Sequence, residues 1–484
     1  MADLLANLNP SLLWKHFSAL LKIPHCSGNE RALGDYVVSV AKGLGLAWNR
    51  DRVGNVIVSK KATAGHEQAA GIILQGHLDM VCEKNSDIAH DFLKDPVIPE
   101  IKEGWVGARG TTLGSDNGIG VAAALAVMGD QSLAHGPLEF LFTVDEETGL
   151  TGANRLGKGF LKGTRLLNLD SEEEGAFTIG CSGGGDSEII LPLQRKRRGF
   201  KELYRLRLFG FRGGHSGLDI NQGRGNAIRL LARLLYQAQE KFKFELVQID
   251  GGNKRNAIPR EALADFYVDA RVAKKMRSFF KDAFAKVQNE FKVVETEAQF
   301  ALEKTAEAKD KPMSAVSQAT LIRLLLALPH GVISMHPEIS GLVETSTNLA
   351  IVHCEKKRAA VICSSRSSVA SSLSAVRQAI RGIAELAGAR ILQTGGYPGW
   401  EPDLQSVLLK RLSEVYKKVF GREPEIKAVH AGLECGIIGE KYPGMDMLSF
   451  GPTIEHPHSP EERVHIGSVE KFWKFLTTAL HELS

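Results

Sequence analysis

Five places in the sequence set a carboxylate or an imidazole directly after an apolar run or inside a glycine-rich loop. His77 and Asp79 follow I-I-L-Q-G, Asp116 sits within G-T-T-L-G-S-D-N-G-I-G, and Asp145, Glu146 and Glu147 end L-E-F-L-F-T-V. Asp170 closes T-R-L-L-N-L-D, and His456 and His458 lie in G-P-T-I-E-H-P-H-S-P near the carboxyl end. An unpaired carboxylate at the buried end of a strand is costly, so these acids call for cations. Imidazole nitrogens and carboxylate oxygens are the ligands of catalytic zinc. Two histidines and three acids suffice for two zinc ions ~3.5–4 Å apart with one acid bridging them, an arrangement suited to peptide hydrolysis.

Taken singly, each place has an ordinary reading. His77 can be a buried histidine bonded to its neighbour, Asp116 a helix cap, and the three acids a surface turn. The glutamates after Asp170 read as solvated loop acids, and a loop histidine as a polar residue facing water. The glycine-rich loop is not a phosphate cradle, because it lacks G-K-[ST] and carries an acid where a phosphate would approach. Together, the five fall at the ends of successive elements, where open α/β sheets bind ligands. If strand geometry persists, Glu146 and Glu147 point to opposite faces and divide the work, one on metal and one on a reacting water.

The elements that must position these groups are legible as alternating strands and helices. Two helices span 11–46, interrupted by I-P-H-C-S-G-N-E with Ser27 or Asn29 as the cap. Strands are expected at 55–59, 71–76 and 138–144, another ending at Asp170, and a small-residue helix at 121–128. This is an α/β fold with helices on the faces of a mixed sheet. From 188 to 394 the texture changes to alternating runs such as Y-R-L-R-L-F, an inserted α+β domain. Residues 1–187 and 395–484 then form one discontinuous catalytic domain.

Bulk composition excludes other classes. A net charge of +4 with interspersed signs argues against a nucleic-acid partner, and R-K-R-R at 195–198 reads as a solvated strand and loop. No apolar run reaches membrane-spanning length, so no membrane partner is expected. The amino terminus carries an acid where a signal peptide carries lysines. The 6 cysteines form neither a disulfide framework nor a thiolate zinc site, which fits a reducing compartment and a cytoplasmic location.

The ordered motifs H-L-D-M (77–80), G-S-D-N-G (114–118), D-E-E-T-G (145–149), N-L-D-S-E (168–172), G-G-H-S-G (213–217), N-A-I-P (256–259), H-A-G-L-E-C-G (430–436) and P-H-S-P (457–460) carry a resemblance. They resemble the co-catalytic zinc metallopeptidases of the carboxypeptidase-G and aminoacylase type, most closely the aminoacyl-histidine dipeptidase branch. The resemblance implies a zinc-exopeptidase catalytic domain with an inserted lid and dimerisation domain, and two Zn2+ per subunit, replaceable by Co2+ or Mn2+. His77 and His458 would each bind one ion, Asp116 would bridge, and Glu147 and Asp170 would complete the two sites. Asp79 would orient His77, and Glu146 would be the general base. His215, Asn256, Arg366 and the backbone at Gly432 would bind substrate, with His215 reaching in from the other subunit of a homodimer.

The implied activity is hydrolysis of dipeptides of broad specificity, Xaa-His included. A deacylase of N-acyl amino acids, a tripeptidase, or a non-catalytic metal-binding relative would use the same site. Asp145 is left as a structural hydrogen bonder. His456 has no assigned role, and Glu434 stands open between packing and substrate contact.

Overall fold

Four short apolar runs become the parallel centre of a mixed sheet, and that centre sets where the reactive side chains emerge. The computed structural model describes residues 4–305, 308 and 310–484. The chain divides into two units, the first comprising Met1–Gly180, Pro402–Ala428 and Leu433–Ser484, and the second Cys181–Glu401 with Val429–Gly432.

In the first unit the strands run in the order Ala47–Arg50, Val56–Lys60, Leu138–Thr143, Ile72–His77, Arg165–Asn168, Asp446–Ser449, Ala176–Cys181 and Glu425–Val429. Ile72–His77 pairs in parallel with both Leu138–Thr143 and Arg165–Asn168, which pairs in parallel with Asp446–Ser449. Every residue of Ile72–His77 and Leu138–Thr143 is buried, as expected of strands covered on both faces. The Ser115–Gly129 helix, built largely of alanine and glycine, packs on Ser11–Leu20 and on the Ile72–His77 strand. The cap expected of Ser27 or Asn29 is not made: the second helix, Arg31–Gly43, follows Glu30, and the Ser27 hydroxyl donates to Asp79 instead. A four-stranded sheet of Pro99–Lys102, Trp105–Ala108, Ile454–Glu455 and Arg463–His465 had no clear signal in the sequence.

The second unit is an antiparallel sheet whose inward residues share one core with the helices Ala227–Gln239, Ala270–Glu290, Ala315–Ala327 and Ala370–Leu386. It also takes in 181–187 and 395–401, which the sequence reading assigned to the flanking domain. The reason is hydrogen bonding. Gly183–Pro192 is one continuous strand along Arg358–Ser367, Gly396–Tyr397 pairs with it, and the Ser182 amide donates to the carbonyls of Val429 and Ala431. Three consecutive glycines, Gly183, Gly184 and Gly185, form the strand's first residues.

Two other expectations change. The R-K-R-R stretch is not simply solvated: the Arg195 guanidinium donates to the carbonyls of Val247, Lys311, Glu355 and Lys356, and Lys196 pairs with Glu245. Among the cysteines, Cys26 and Cys82 are joined by a disulfide, while Cys181, Cys354, Cys363 and Cys435 are buried outside any disulfide. Their 56-residue separation gave no spacing signal. No helix among the described residues is long and apolar enough to cross a membrane.

Phe177 is 1% exposed and its ring lies 5.1 to 6.1 Å from those of Tyr416, Phe450 and Phe475. Phe177→Ala should therefore destabilise the first unit by about 3–5 kcal/mol, read as a lowered urea midpoint; an unchanged midpoint would contradict this packing.

Candidate active site

Parallel register places the predicted ligands on one sheet edge. His77 pairs with Thr143 and Gln75 with Asn168, so all three strands end together and Asp79, Glu146, Glu147 and Asp170 follow within a few residues. The alternation expected of Glu146 and Glu147 does not apply, because the strand stops at Thr143. Asp145 turns the chain at φ 53°, and Glu146–Gly149 is a helical turn. Asp79 caps that turn: its carboxylate accepts the Glu146 amide at 2.9 Å, the Glu147 amide at 3.1 Å and the Ser27 hydroxyl at 2.8 Å. His77 is held chiefly by the Asp79 main chain. Its Nδ1 lies 2.9 Å from the Asp79 carbonyl and 3.5 Å from Oδ1, which puts the proton on Nδ1 and leaves Nε2 as the ligand atom.

Asp116 is shared between two histidines. Its Oδ1 is 3.2 Å from His77 Nε2 and its Oδ2 is 3.2 Å from His458 Nε2. His77 Nε2 also lies 3.3 Å from Asp170, and His458 Nε2 lies 3.0 Å from Glu147. Three overlapping groups have their ligand atoms within 4.8 Å of one another: His77 with Asp116 and Asp170, Asp116 with Glu147 and His458, and His77 with Glu146 and Glu147. Glu147 Oε1 is buried without a hydrogen-bond partner. Imidazole nitrogens, carboxylates and an orphaned buried acceptor form a donor set that fits divalent metal ions.

The electrostatics agree with that fit. Contacts with Asp116 and Glu147 push His458 up to about 11. Burial opposes charge on His77, yet Asp170 and Asp116 hold its pKa well above the usual imidazole value. Burial, aided by neighbouring acids, pushes Asp170 up to about 6, Glu172 up to about 9 and Glu146 well above an ordinary carboxylate. A site that protonates its own imidazoles and acids is one that stabilises added positive charge.

Several residues have places the sequence did not reveal. Glu172 is not a solvated loop acid but sits beside Asp116 and Asp170. Glu173 pairs with Lys427, and Glu174 with Arg422 and Lys471. Glu434 is 0% exposed and accepts Gln75 Nε2 at 2.7 Å and Thr143 Oγ1 at 2.5 Å, which makes it a buried network acid; burial pushes it up to about 7. Glu30, Asp79 and Asp145 also cluster, but amides and hydroxyls satisfy them: Thr148 and Thr151 donate to Asp145, and the Gly28 and Asp145 amides to Glu30. His456 is exposed and belongs to none of the ligand groups among the described residues.

The second unit holds a separate polar cluster containing His215, Arg366 and Gly432. His215 Nδ1 accepts the amides of Gly217 and Leu218 at 3.2 and 3.1 Å, so its proton resides on Nε2; burial and the Arg366 charge lower its pKa and keep it neutral. Arg366 is 8% exposed, donates to Tyr397 Oη at 2.8 Å and leaves its buried Nε unpaired. Glycine is required where these groups converge. A Cβ on Gly217 would lie 2.1 Å from the His430 carbonyl, and one on Gly432 would lie 2.8 Å from the Tyr397 ring. Asn256 is exposed on the adjoining loop, its carbonyl accepting the Ser216 amide at 2.8 Å. Tyr397 and His430, the latter bonded to Ser346 at 2.7 Å, join the cluster without having been singled out from sequence. A buried guanidinium with a free N–H, beside a neutral imidazole donor, suits a carboxylate and a carbonyl oxygen.

The profile of peptidase family M20/M25/M40 matches residues 73–482. The chain is 44% identical over 482 residues to the cytosol non-specific dipeptidase of Escherichia coli strain K12, covering 99% of each. The crystal structure of aminoacylhistidine dipeptidase from Vibrio alginolyticus superimposes with a TM-score of 0.92 at 42% identity, covering 99% of this chain and 98% of that one. Aminopeptidase PepT from Bacillus cereus shares the fold, with a TM-score of 0.57 at 15% identity over 98% of this chain and 99% of that one.

Because a ligand held only by the folded state stabilises it, Co2+ should raise the melting temperature of the chelator-treated protein. Asp116→Ala, which removes the carboxylate shared by His77 and His458, should abolish the shift; a full shift in that variant would contradict a ligand role for Asp116.

Proposed function

The chain belongs to peptidase family M20/M25/M40, and from that premise we propose that it is a metal-dependent dipeptidase of broad specificity that accepts Xaa-His dipeptides. The observation that carries the reading is the division of Asp116 between His77 and His458, which gives one carboxylate to two ligand groups. The names of the Escherichia coli and Vibrio alginolyticus proteins support the substrate class. Imidazole and carboxylate are ligands that zinc takes, and two ions per chain would be held by His77 and Asp170 and by His458 and Glu147, with Asp116 available to both. Bound there, the ions supply Lewis-acid polarisation and make water a nucleophile near neutral pH.

The chain's own residues do the rest. Glu146, made more basic by its burial and neighbouring acids, takes a proton from the attacking water as its oxygen bonds to the peptide carbon, then returns that proton to the amide nitrogen as the C–N bond breaks. Asp79 holds the Glu146 amide and so aims the base. His215, with its proton on Nε2, donates to the developing oxyanion. Arg366 binds the terminal carboxylate at two points, with Asn256 and the Gly432 backbone assisting, and a clamp of fixed reach selects dipeptides. The second unit serves as lid and dimerisation domain, with His215 acting in trans. The cytosolic name of the Escherichia coli relative supports a cytoplasmic location.

Glu146→Gln should lower kcat about 10²–10⁴-fold at unchanged metal content, measured on Xaa-His dipeptides; full activity would sink the assignment. Tripeptides and N-acetyl amino acids should be poor substrates in the same panel. Two inactive variants test the trans arrangement. Mixing and reassorting Glu146→Gln with His215→Ala should restore about one quarter of the sites if His215 crosses between subunits, and none if it acts in its own subunit.

A further inference from the structure

Asp116 is aimed by something other than its helix. Although the helix Ser115–Gly129 nominally contains it, Asp116 has φ −85° and ψ 109° and Asn117 has φ −103° and ψ 28°, so neither is helical. What fixes the loop is Glu462, a carboxylate 3% exposed and about 350 residues away in sequence. Its Oε2 accepts the amides of Leu113 at 2.8 Å and Gly114 at 2.9 Å. Its Oε1 accepts the amide of Ser115 at 2.7 Å, the Ser115 hydroxyl at 2.6 Å and the amide of Asp116 at 3.2 Å. Four successive amides and a hydroxyl converge on one side chain, more than capping a helix requires.

Glu462 is also tied to the other loop. It stands four residues after His458, and its own amide donates to the Ser459 carbonyl at 3.0 Å, while the Ser459 hydroxyl donates to the His456 carbonyl at 2.9 Å. One carboxylate thus joins the turn that carries His458 to the loop that carries Asp116. We propose that Glu462 is a positioning residue of the metal centre: by gathering the amides of Leu113–Asp116 it directs the Asp116 carboxylate between His77 and His458. The inference rests on the reading of Asp116 as a shared ligand and goes beyond it by naming what holds that ligand in register. Residues that orient metal ligands typically matter about 10–100-fold in affinity.

The test compares wild type with Glu462→Gln, which keeps the shape but turns an amide N–H₂ toward backbone N–H donors. Two readouts besides turnover are used: amide hydrogen exchange of 113–116 in chelator-treated protein, and Co2+ titration followed by its visible absorption. The proposal expects faster exchange confined to 113–116, Co2+ affinity about 10–100-fold weaker and a shifted absorption band. Wild-type exchange, affinity and band in the variant would overturn it, as would loosened amides with unchanged cobalt binding, since the carboxylate would then be purely structural. Should Glu462→Gln not fold, Ser115→Ala removes one contact without burying a mismatched donor and must move the same readouts in the same direction by a smaller amount. Dipeptide turnover by wild type reads the proposed function separately: its failure with the exchange and cobalt results intact would refute the dipeptidase reading and leave Glu462 in its role.

Discussion

The first unit depends on a confined electrostatic problem: Asp116, Glu146, Glu147, Asp170 and Glu172 are brought together with two imidazoles at the edge of a buried sheet. In water, like charges so placed repel only modestly; with burial the repulsion and the desolvation cost both rise. The protein contains it by sharing. Each oxygen of Asp116 faces one histidine, and Asp79, Glu30 and Glu462 each accept backbone amides, Asp79 and Glu462 a serine hydroxyl as well. Acids with amide partners hold loops, whereas Asp116, Glu147 and Asp170 face imidazoles instead.

That distinction explains which parts of the site could be read from sequence. His77, Asp116 and Asp170 stood out because each ends an apolar run or interrupts a glycine-rich loop, and parallel strand order brings such ends together, whereas Glu147 and His458 were singled out from their neighbours only by the family resemblance. Glu462 gave no signal, because its role is defined by amides more than three hundred residues away, and main-chain donors leave no side-chain motif. The same holds for Asp79. Its spacing from His77 suggested a carboxylate–imidazole pair, but the turn at Asp145 carries the next two amides onto that carboxylate. Glu146 and Glu147 were assigned different tasks on the premise of strand alternation; they differ instead through a helical turn that leaves Glu147 against His458 and Glu146 amid acids.

Fold class and the existence of an insertion followed from periodicity, since buried parallel strands and half-buried antiparallel strands read differently. The limits of the insertion did not, because glycines carry no side-chain alternation, yet Gly183 to Gly185 extend a strand. In the second unit the arginine-rich stretch likewise looked like surface charge, while Arg195 is committed to four carbonyls. Arg366 is the opposite case: a buried guanidinium with an unpaired Nε, held by Tyr397, whose unused valence is a property a ligand can meet.

The most direct test of the central claim, that Asp116 is the shared ligand of two metal ions, is anomalous diffraction at the zinc edge from crystals of the zinc-loaded protein. The account predicts two peaks ~3.5–4 Å apart, one beside His77 and Asp170 and one beside His458 and Glu147, with the Asp116 carboxylate between them. A single peak, or a peak at Glu30, Asp79 and Asp145, would contradict it.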